Sequence, residues 1–295
     1  MRTGTALAVG GLGMVFVGGG VAVSGLLRDA PMLTTQALRY AAAFVILLVA
    51  ARLSGRRIVV PRGREWLWLG GVASTGLVLF NVALVRGSAH AEPAVLGVAV
   101  ASVPVLLALG GRGDRRVVLC GAVLVTAGAA LVEGGGRTDA QGLGWALVVL
   151  ACEAGFTLLA VPVLGRHGPW GVSVHTCWMA AVGLGVGGLV TEGPPAVTTL
   201  RPEHLAAMAY LAVGVTAVAF VLWYSAVATL GAGRAGLLTG IAPVAATLIG
   251  TALGEPFPDP RVWLGLALVG AGLAVGMRRS RRPVPPGRTE APART

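Results

Sequence analysis

The sequence contains no lysine; all 23 of its basic residues are arginine. Without lysine no Walker A phosphate loop can be built, which excludes ATP hydrolysis by this chain. Charge of either sign is scarce. Charged residues make up 12% of the 295, about half of the roughly 25% usual in a soluble domain. There are three cysteines, Cys120, Cys152 and Cys177, each inside an apolar run. An odd number in such places gives neither a disulfide framework nor a metal-ligand spacing. No HExxH pair occurs, and His90 with Glu92 are too few ligands for a metal. Neither metal nor cofactor is expected.

What is present is apolar. The chain is 55% hydrophobic, in runs of about 17–22 residues that suffice to cross a hydrocarbon core of about 30 Å as helix. Ten runs are read, at 5–27, 32–51, 66–86, 93–110, 116–133, 143–164, 171–190, 204–226, 236–254 and 262–277. They predict an all-α integral membrane protein of ten transmembrane helices with short loops. Glycine is abundant, at 46 residues, roughly double ordinary usage. In lipid, small residues let helix backbones approach closely. Gly10, Gly11, Gly13, Gly18, Gly19 and Gly20 in span 1, and Gly183, Gly185, Gly187 and Gly188 in span 7, fit that role. The stretch from Gly183 to Gly188 formally matches GxGxxG, but it lies inside an apolar run and is read as helix packing.

The net charge of +11 could point to nucleic acid, but its placement points to a membrane. With a cytoplasmic N-terminus, 17 arginines fall on the inner side: Arg2; the group from Arg52 to Arg64; Arg112, Arg115 and Arg116; Arg166; Arg234; and six from Arg278 onward. Only Arg28, Arg86, Arg137, Arg201 and Arg261 fall outside, and Arg39 lies within span 2. This is the positive-inside pattern. It predicts a multi-pass protein of the cytoplasmic (inner) membrane with both termini cytoplasmic, and no nucleic-acid partner. The first span has a signal-peptide outline ending at Ala22-Val23-Ser24, but it is long and has a counterpart in span 6. Residues 279–295 are polar, Pro-rich and basic, and predict a disordered cytoplasmic tail.

The chain also repeats itself. PVLLAL from Pro104 leads to CGAVLVTAGAALV (120–132), and PVAATLIG from Pro243 leads to LGLALVGAGLAV (264–275). The interval from Gly4 to Pro31 recurs, equal in length, from Gly142 to Pro169. The step from Gly4 to Gly142 is the offset of the repeat. The two copies are read as 1–136 and 137–278. Five spans per copy make the second copy enter the membrane from the opposite side. Two inverted five-helix repeats are an architecture of alternating-access transporters.

Span 2 carries an arginine in PMLTTQALRYAAAF (31–44), and span 9 runs from Pro243 to Gly254-Glu255 in IAPVAATLIGTALGE (241–255). Span 10 is the glycine-rich GLALVGAGLAVG (265–276). On these features the chain resembles the drug/metabolite transporter superfamily, specifically EamA-type ten-helix permeases, over about residues 1–278. The first half departs from the pattern: GGRGDRR (110–116) stands where a glutamate often follows Pro104, and the loop GSAHAEPA (87–94) is long. The resemblance implies small-solute transport, with export as a family-level expectation, and does not choose the solute. Pro104, Pro243, Gly254 and Glu255 are read as helix-packing or hinge positions.

Ionisable groups inside a span cost roughly 2.5–3.5 kcal/mol on insertion scales and are functional candidates by default. Glu153 and Arg39 are two such groups. Counted from the outer ends of spans 6 and 2, they lie about 15 Å and 12 Å deep. In one reading they share a central cavity, Arg39 binding a carboxylate or phosphate and Glu153 pairing with an ammonium or carrying a coupling proton. In the other they form an ion pair, or bond to backbone carbonyls, and only hold helices together. The counterpart of Glu153 at the repeat offset is Val15, so a symmetric structural role does not require it. Asn81, Tyr40, His175, Trp178, Trp223 and Tyr224 are further candidates for the solute path. Each also has a bland reading as a packing residue or interface anchor.

The expected function is a secondary transporter, exporting small metabolites, amino acids or drug-like solutes by alternating access, with protons as the candidate coupling ion. Its partners would be the solute and membrane lipids, with the chain a monomer or homodimer. Spans 1–4 and 6–9 would enclose the path, with spans 5 and 10 peripheral or at a dimer contact. Two alternatives are a membrane enzyme acting on a lipid or isoprenoid substrate and a non-transporting membrane subunit. The first needs clusters of Asp, His or Lys, whereas the 12 acidic residues here are scattered and histidines number four.

Overall fold

The computed structural model describes residues 1–110, 115–252 and 257–278. Gly254, Glu255 and the tail 279–295 lie outside the described residues. The helices are α1 (Thr3–Ser24), α2 (Met32–Leu53), α3 (Glu65–Ser88), α4 (Pro93–Gly110) and α5 (Arg115–Glu133). The second half supplies α6 (Ala140–Leu158), α7 (Val161–Thr191), α8 (Pro202–Leu230), α9 (Ala232–Ala252) and α10 (Pro260–Gly276). Among the described residues the first nine are long and apolar enough to cross a membrane, and α10 is a 17-residue apolar helix.

Helix is the form these runs must take, because hydrocarbon offers backbone groups no water to bond. The few hydroxyls are satisfied the same way. Thr75 bonds back to the Gly71 carbonyl (2.7 Å), Thr176 to Val172 (2.9 Å) and Ser225 to Val221 (2.6 Å). Helix starts are marked by residues that need no donor or supply an acceptor. Pro93, Pro202 and Pro260 stand in first turns. Asp139 caps α6 by accepting from the Gly142 amide (2.7 Å). Glu192, just past α7, caps α2 with both oxygens, accepting from the amides of Leu33 (2.8 Å) and Thr34 (2.9 Å).

The junction of spans 6 and 7 departs from the sequence reading of 143–164 and 171–190. Helix α6 ends at Leu158, and α7 already begins at Val161. Within α7 the backbone breaks at Gly168 (φ 64°, ψ 177°), just before Pro169. Proline pushes its predecessor out of the helical region, and glycine reaches positive φ without a Cβ clash. A short helical piece, 161–167, therefore precedes the long arm of α7.

The packing repeats with the sequence. Helix α1 packs on α8 and α9, and α6 packs on α3 and α4. Helix α2 pairs with α7, and α5 with α10. Each helix of one half thus meets the other half as its counterpart does. Helices α3 and α8 each contain a π-helical segment, Ala73–Leu79 and Leu211–Val218. Their first residues, Ala73 and Leu211, are as far apart in the chain as Gly4 and Gly142, one repeat offset. Gly76 in the first lies against the Phe156 ring, and Gly214 in the second against the Phe16 ring. Helix α4 breaks at Ser102, shortly before Pro104, and α9 turns 3-10 over Leu237–Gly240, shortly before Pro243.

Gly121 and Gly128 of α5 face Gly265, Gly272 and Gly276 of α10. The glycine faces of these two helices are turned to each other within one chain. Gly10, Gly18 and Gly20 likewise seat α1 against α8 and α9. Large apolar side chains such as Leu12, Val45, Val49, Leu67, Leu147, Val186 and Leu189 point outward and are exposed, as the lipid-facing surface of a multi-pass membrane protein requires. Helix alternation brings most of the arginines to one end, below called the arginine-rich end. At the opposite end the halves join by a bridge between Ala91 and Thr138.

Candidate functional site

Polar side chains converge between the halves from α2, α3, α6 and α8. Arg39 Nε donates to the Thr216 hydroxyl (2.9 Å), and Nη1 to Gln36 Oε1 (3.2 Å). Its guanidinium carbon stands 5.2 Å from the Tyr40 ring centre. Thr216 is fully buried, and its own hydrogen goes to the Leu211 carbonyl (2.9 Å), a turn and a half back along α8. That acceptor lies within the π segment, whose wider turn shifts the usual register. The Asn81 amide donates to the Leu77 carbonyl (2.6 Å) and to the Tyr40 hydroxyl (3.1 Å).

Helix α6 forms the facing wall. Trp223 Nε1 donates to the Thr157 hydroxyl (3.1 Å), and the Tyr224 hydroxyl to the Phe156 carbonyl (3.1 Å). The Phe156 ring lies 4.9 Å from that of Phe220 and 5.2 Å from that of Tyr224. Glu153, one turn earlier, is half-buried. Its carboxyl lies near both Tyr40 and Tyr224. Among the described residues no basic side chain lies within 4.0 Å of it. The Glu153–Arg39 ion pair considered from the sequence is therefore not formed.

The helix starts set how far along its helix each of the two groups lies. Helix α6 starts at Ala140, and α2 at Met32. At about 1.5 Å per residue, Glu153 lies about 20 Å along its helix and Arg39 about 10 Å along its own. The two groups thus lie at different distances from their helix starts, and both lie near Tyr40. One repeat offset on from Arg39 stands Cys177, in the middle of α7. Cys177 is fully buried and lies near Arg39. Arginine on α2 and cysteine on α7 are thus repeat counterparts facing each other.

Six of the eight candidate path residues meet here: Arg39, Tyr40, Asn81, Glu153, Trp223 and Tyr224. His175 and Trp178 do not. Trp178 Nε1 donates to His175 Nδ1 (3.2 Å), and His175 Nε2 bonds the Val59 carbonyl (2.9 Å) in the loop before α3. The Trp178 ring stands edge-on to Trp66 at 6.2 Å. This second cluster sits at the arginine-rich end. Sequence reasoning missed Thr216, Thr157 and Phe156. Only the repeat offset, applied to Arg39, could have flagged Cys177.

The loops at the opposite end carry their own charge pairs. Arg137 Nε donates to Glu92 (2.9 Å), and His90 Nδ1 meets Asp139 (3.0 Å). The Arg137 guanidinium holds the Glu92 carboxyl below the usual carboxylate range. The Gly142 amide, then His90, does the same for Asp139. No group of three or more His, Cys, Asp or Glu able to hold a metal occurs among the described residues.

Residues 140–277 match the EamA-like transporter family. A protein of Streptantibioticus cattleyicolor named a probable terminal-alkyne amino-acid exporter is 30% identical over 253 residues, 82% of each chain. A Bacillus subtilis protein named uncharacterized transporter YetK is 25% identical over 284 residues, 92% of this chain and 86% of that one. A solved crystal structure superposes with TM-score 0.78 at 20% identity, covering 92% of this chain and 97% of that one. That last likeness is one of fold.

Proposed function

This chain belongs to the EamA-like transporter family of the drug/metabolite transporter superfamily, and from that premise we propose that it exports small zwitterionic metabolites of amino-acid type. The observation that carries this reading is the pair of unmatched charges, Arg39 and Glu153, facing one region from opposite halves. A solute with a carboxylate and an ammonium would neutralise both at once, the planar guanidinium taking the carboxylate. Phe156, Phe220 and Tyr224 would receive its apolar part. The name of the Streptantibioticus relative, an amino-acid exporter, supports the solute class.

The mechanism is alternating access across the cytoplasmic membrane, one five-helix half (1–136) rocking against the other (137–278). Both termini lie in the cytoplasm, in line with the arginine distribution. The driving ion is the proton, carried by Glu153. A carboxyl in a low-dielectric site gains from being neutral, so binding an ammonium and binding a proton compete there. That competition couples the two.

The test is comparative metabolomics of cells and spent medium. Overexpressed wild type, Glu153→Gln at matched membrane abundance and empty vector are compared, with and without an ionophore that collapses ΔpH. We expect amino-acid-type solutes to accumulate outside with wild type only, and the ionophore to abolish the difference. Normal export by Glu153→Gln together with indifference to the ionophore would remove the coupling role. No solute differing from empty vector would remove the exporter reading.

A further inference from the structure

Two clusters outside the central region share one composition: an arginine, a histidine and a carboxylate. At the arginine-rich end, Arg166 Nη1 and His167 Nε2 (3.1 Å) both meet Glu65 Oε2. At the opposite end, Arg201 Nη2 and His204 Nε2 (3.2 Å) both meet Asp29. Both histidine rings are buried, with side-chain exposures of 0% for His167 and 2% for His204.

The two clusters occupy equivalent places in the repeat. One joins the short helical piece that links α6 to the long arm of α7 (161–167) to the start of α3, and the other joins the α1–α2 connection to the start of α8. Arg28-Asp29 and Arg166-His167 are one repeat offset apart, and so are Glu65 and Glu203. The roles are exchanged between them. At one end the connection supplies arginine and histidine while the helix start supplies the acid. At the other the connection supplies the acid while the helix start supplies arginine and histidine. Each cluster ties the first half of the chain to the second, and each does so at one membrane face only.

We propose that these are paired latches, one at each mouth of the solute path, and that transport opens them one at a time. This rests on the alternating-access reading above. Both latches are formed here. Rocking one half against the other must part Asp29 from Arg201 and His204 to open one mouth, or Glu65 from Arg166 and His167 to open the other. The latches are not equal. His204 uses both ring nitrogens, Nδ1 accepting from the Arg201 amide (3.3 Å). His167 Nδ1 is buried without a partner. A buried polar atom left unbonded is costly, so the latch at the arginine-rich end closes less favourably than the other.

Hydrogen–deuterium exchange of the full chain in nanodiscs, without solute, tests this. Asp29→Asn opens one latch and Glu65→Gln the other; Arg201→Gln and Arg166→Gln open the same latches from their other side. Asp29→Asn is expected to raise uptake roughly two- to fivefold around 27–34 and 200–206, the scale of one partly exposed ion pair. It is also expected to lower uptake around 60–68 and 163–170, because molecules open at one mouth keep the other latched, so its brief openings become rarer. Glu65→Gln is expected to do the reverse at both ends. A rise confined to the mutated end, with the far end unchanged, makes these local braces and overturns the proposal. If one variant of a latch fails to fold, its partner variant gives the same readout. The exchange pattern needs no solute, so an error in the solute class leaves this outcome untouched.

Discussion

At the scale of single residues, the central question is what holds an arginine still inside a membrane. Arg39 has one nitrogen on Thr216 and one on Gln36, with the Tyr40 ring beside it. The Thr216 hydroxyl is anchored to the Leu211 carbonyl, so the guanidinium is oriented through a two-bond relay. Thr216→Val keeps the shape and removes the relay. One net hydrogen bond is worth about 1 kcal/mol, so the KM for the transported solute should rise roughly three- to tenfold with little change in kcat. Thr216→Ser should behave as wild type. Equal KM in both variants would free Arg39 from any dependence on Thr216. Arg39 and Glu153 were legible in the sequence because charge in an apolar run is conspicuous. Thr216 was not, since a hydroxyl in a span is ordinary until its partner is known. His175 and Trp178 shared a helix face as their spacing implied, but that face meets Val59 and Trp66, away from Arg39. Spacing along one helix says nothing about which neighbour it meets.

At the scale of helices, glycine sets distances. A Cβ on Gly128 would stand 2.6 Å from the Gly265 carbonyl oxygen and 2.7 Å from the Val269 amide nitrogen. Backbone cannot step aside as a side-chain tip can, so Gly128→Leu must push α5 and α10 apart. Such overpacking costs about 1–3 kcal/mol. Gly270→Leu, on α10 but with nothing within 4 Å, should cost little. Thermal unfolding of the two variants in detergent checks this; equal losses would mean that the α5–α10 seam tolerates separation. The glycine-rich runs announced close packing in advance. They did not say that α5 and α10 would spend their glycines on each other, because small residues fit an intrachain and an interchain seam equally well. The end of α6 was misplaced for a related reason. Apolar residues continue past Leu158, and only Gly168-Pro169 signals that the chain has to turn.

At the scale of the whole molecule, the halves meet in the connection between α5 and α6, where Glu92–Arg137 and His90–Asp139 flank the Ala91–Thr138 bridge. Both carboxyls are held below their ordinary values. A carboxyl whose value is depressed by folding stabilises the fold above its unfolded value of about 4. That contribution is lost as pH falls through the depressed value. Acidification below about pH 4 should therefore loosen residues 88–92 and 134–142, read as faster proteolysis there, while Arg137→Gln should show part of that loosening already at pH 7. Unchanged cleavage down to pH 3 would mean that the clasp contributes nothing. The ten-helix plan and its doubling were legible because span length and arginine placement are fixed by the bilayer itself. The start of α6 was not, because the Asp139 cap moves it about a turn ahead of the apolar run, and with it the place of Glu153 along the helix.

The π segments of α3 and α8 carry the repeat in the backbone itself. A π turn holds one residue more than the α turn it replaces, and it leaves a bend at that point. The two bends start at matching positions, one repeat offset apart, although Asn81 and Ala219, which follow them at that same spacing, no longer agree. The backbone form recurs where the side chains differ, so it belongs to the repeated fold and not to the particular residues that flank it.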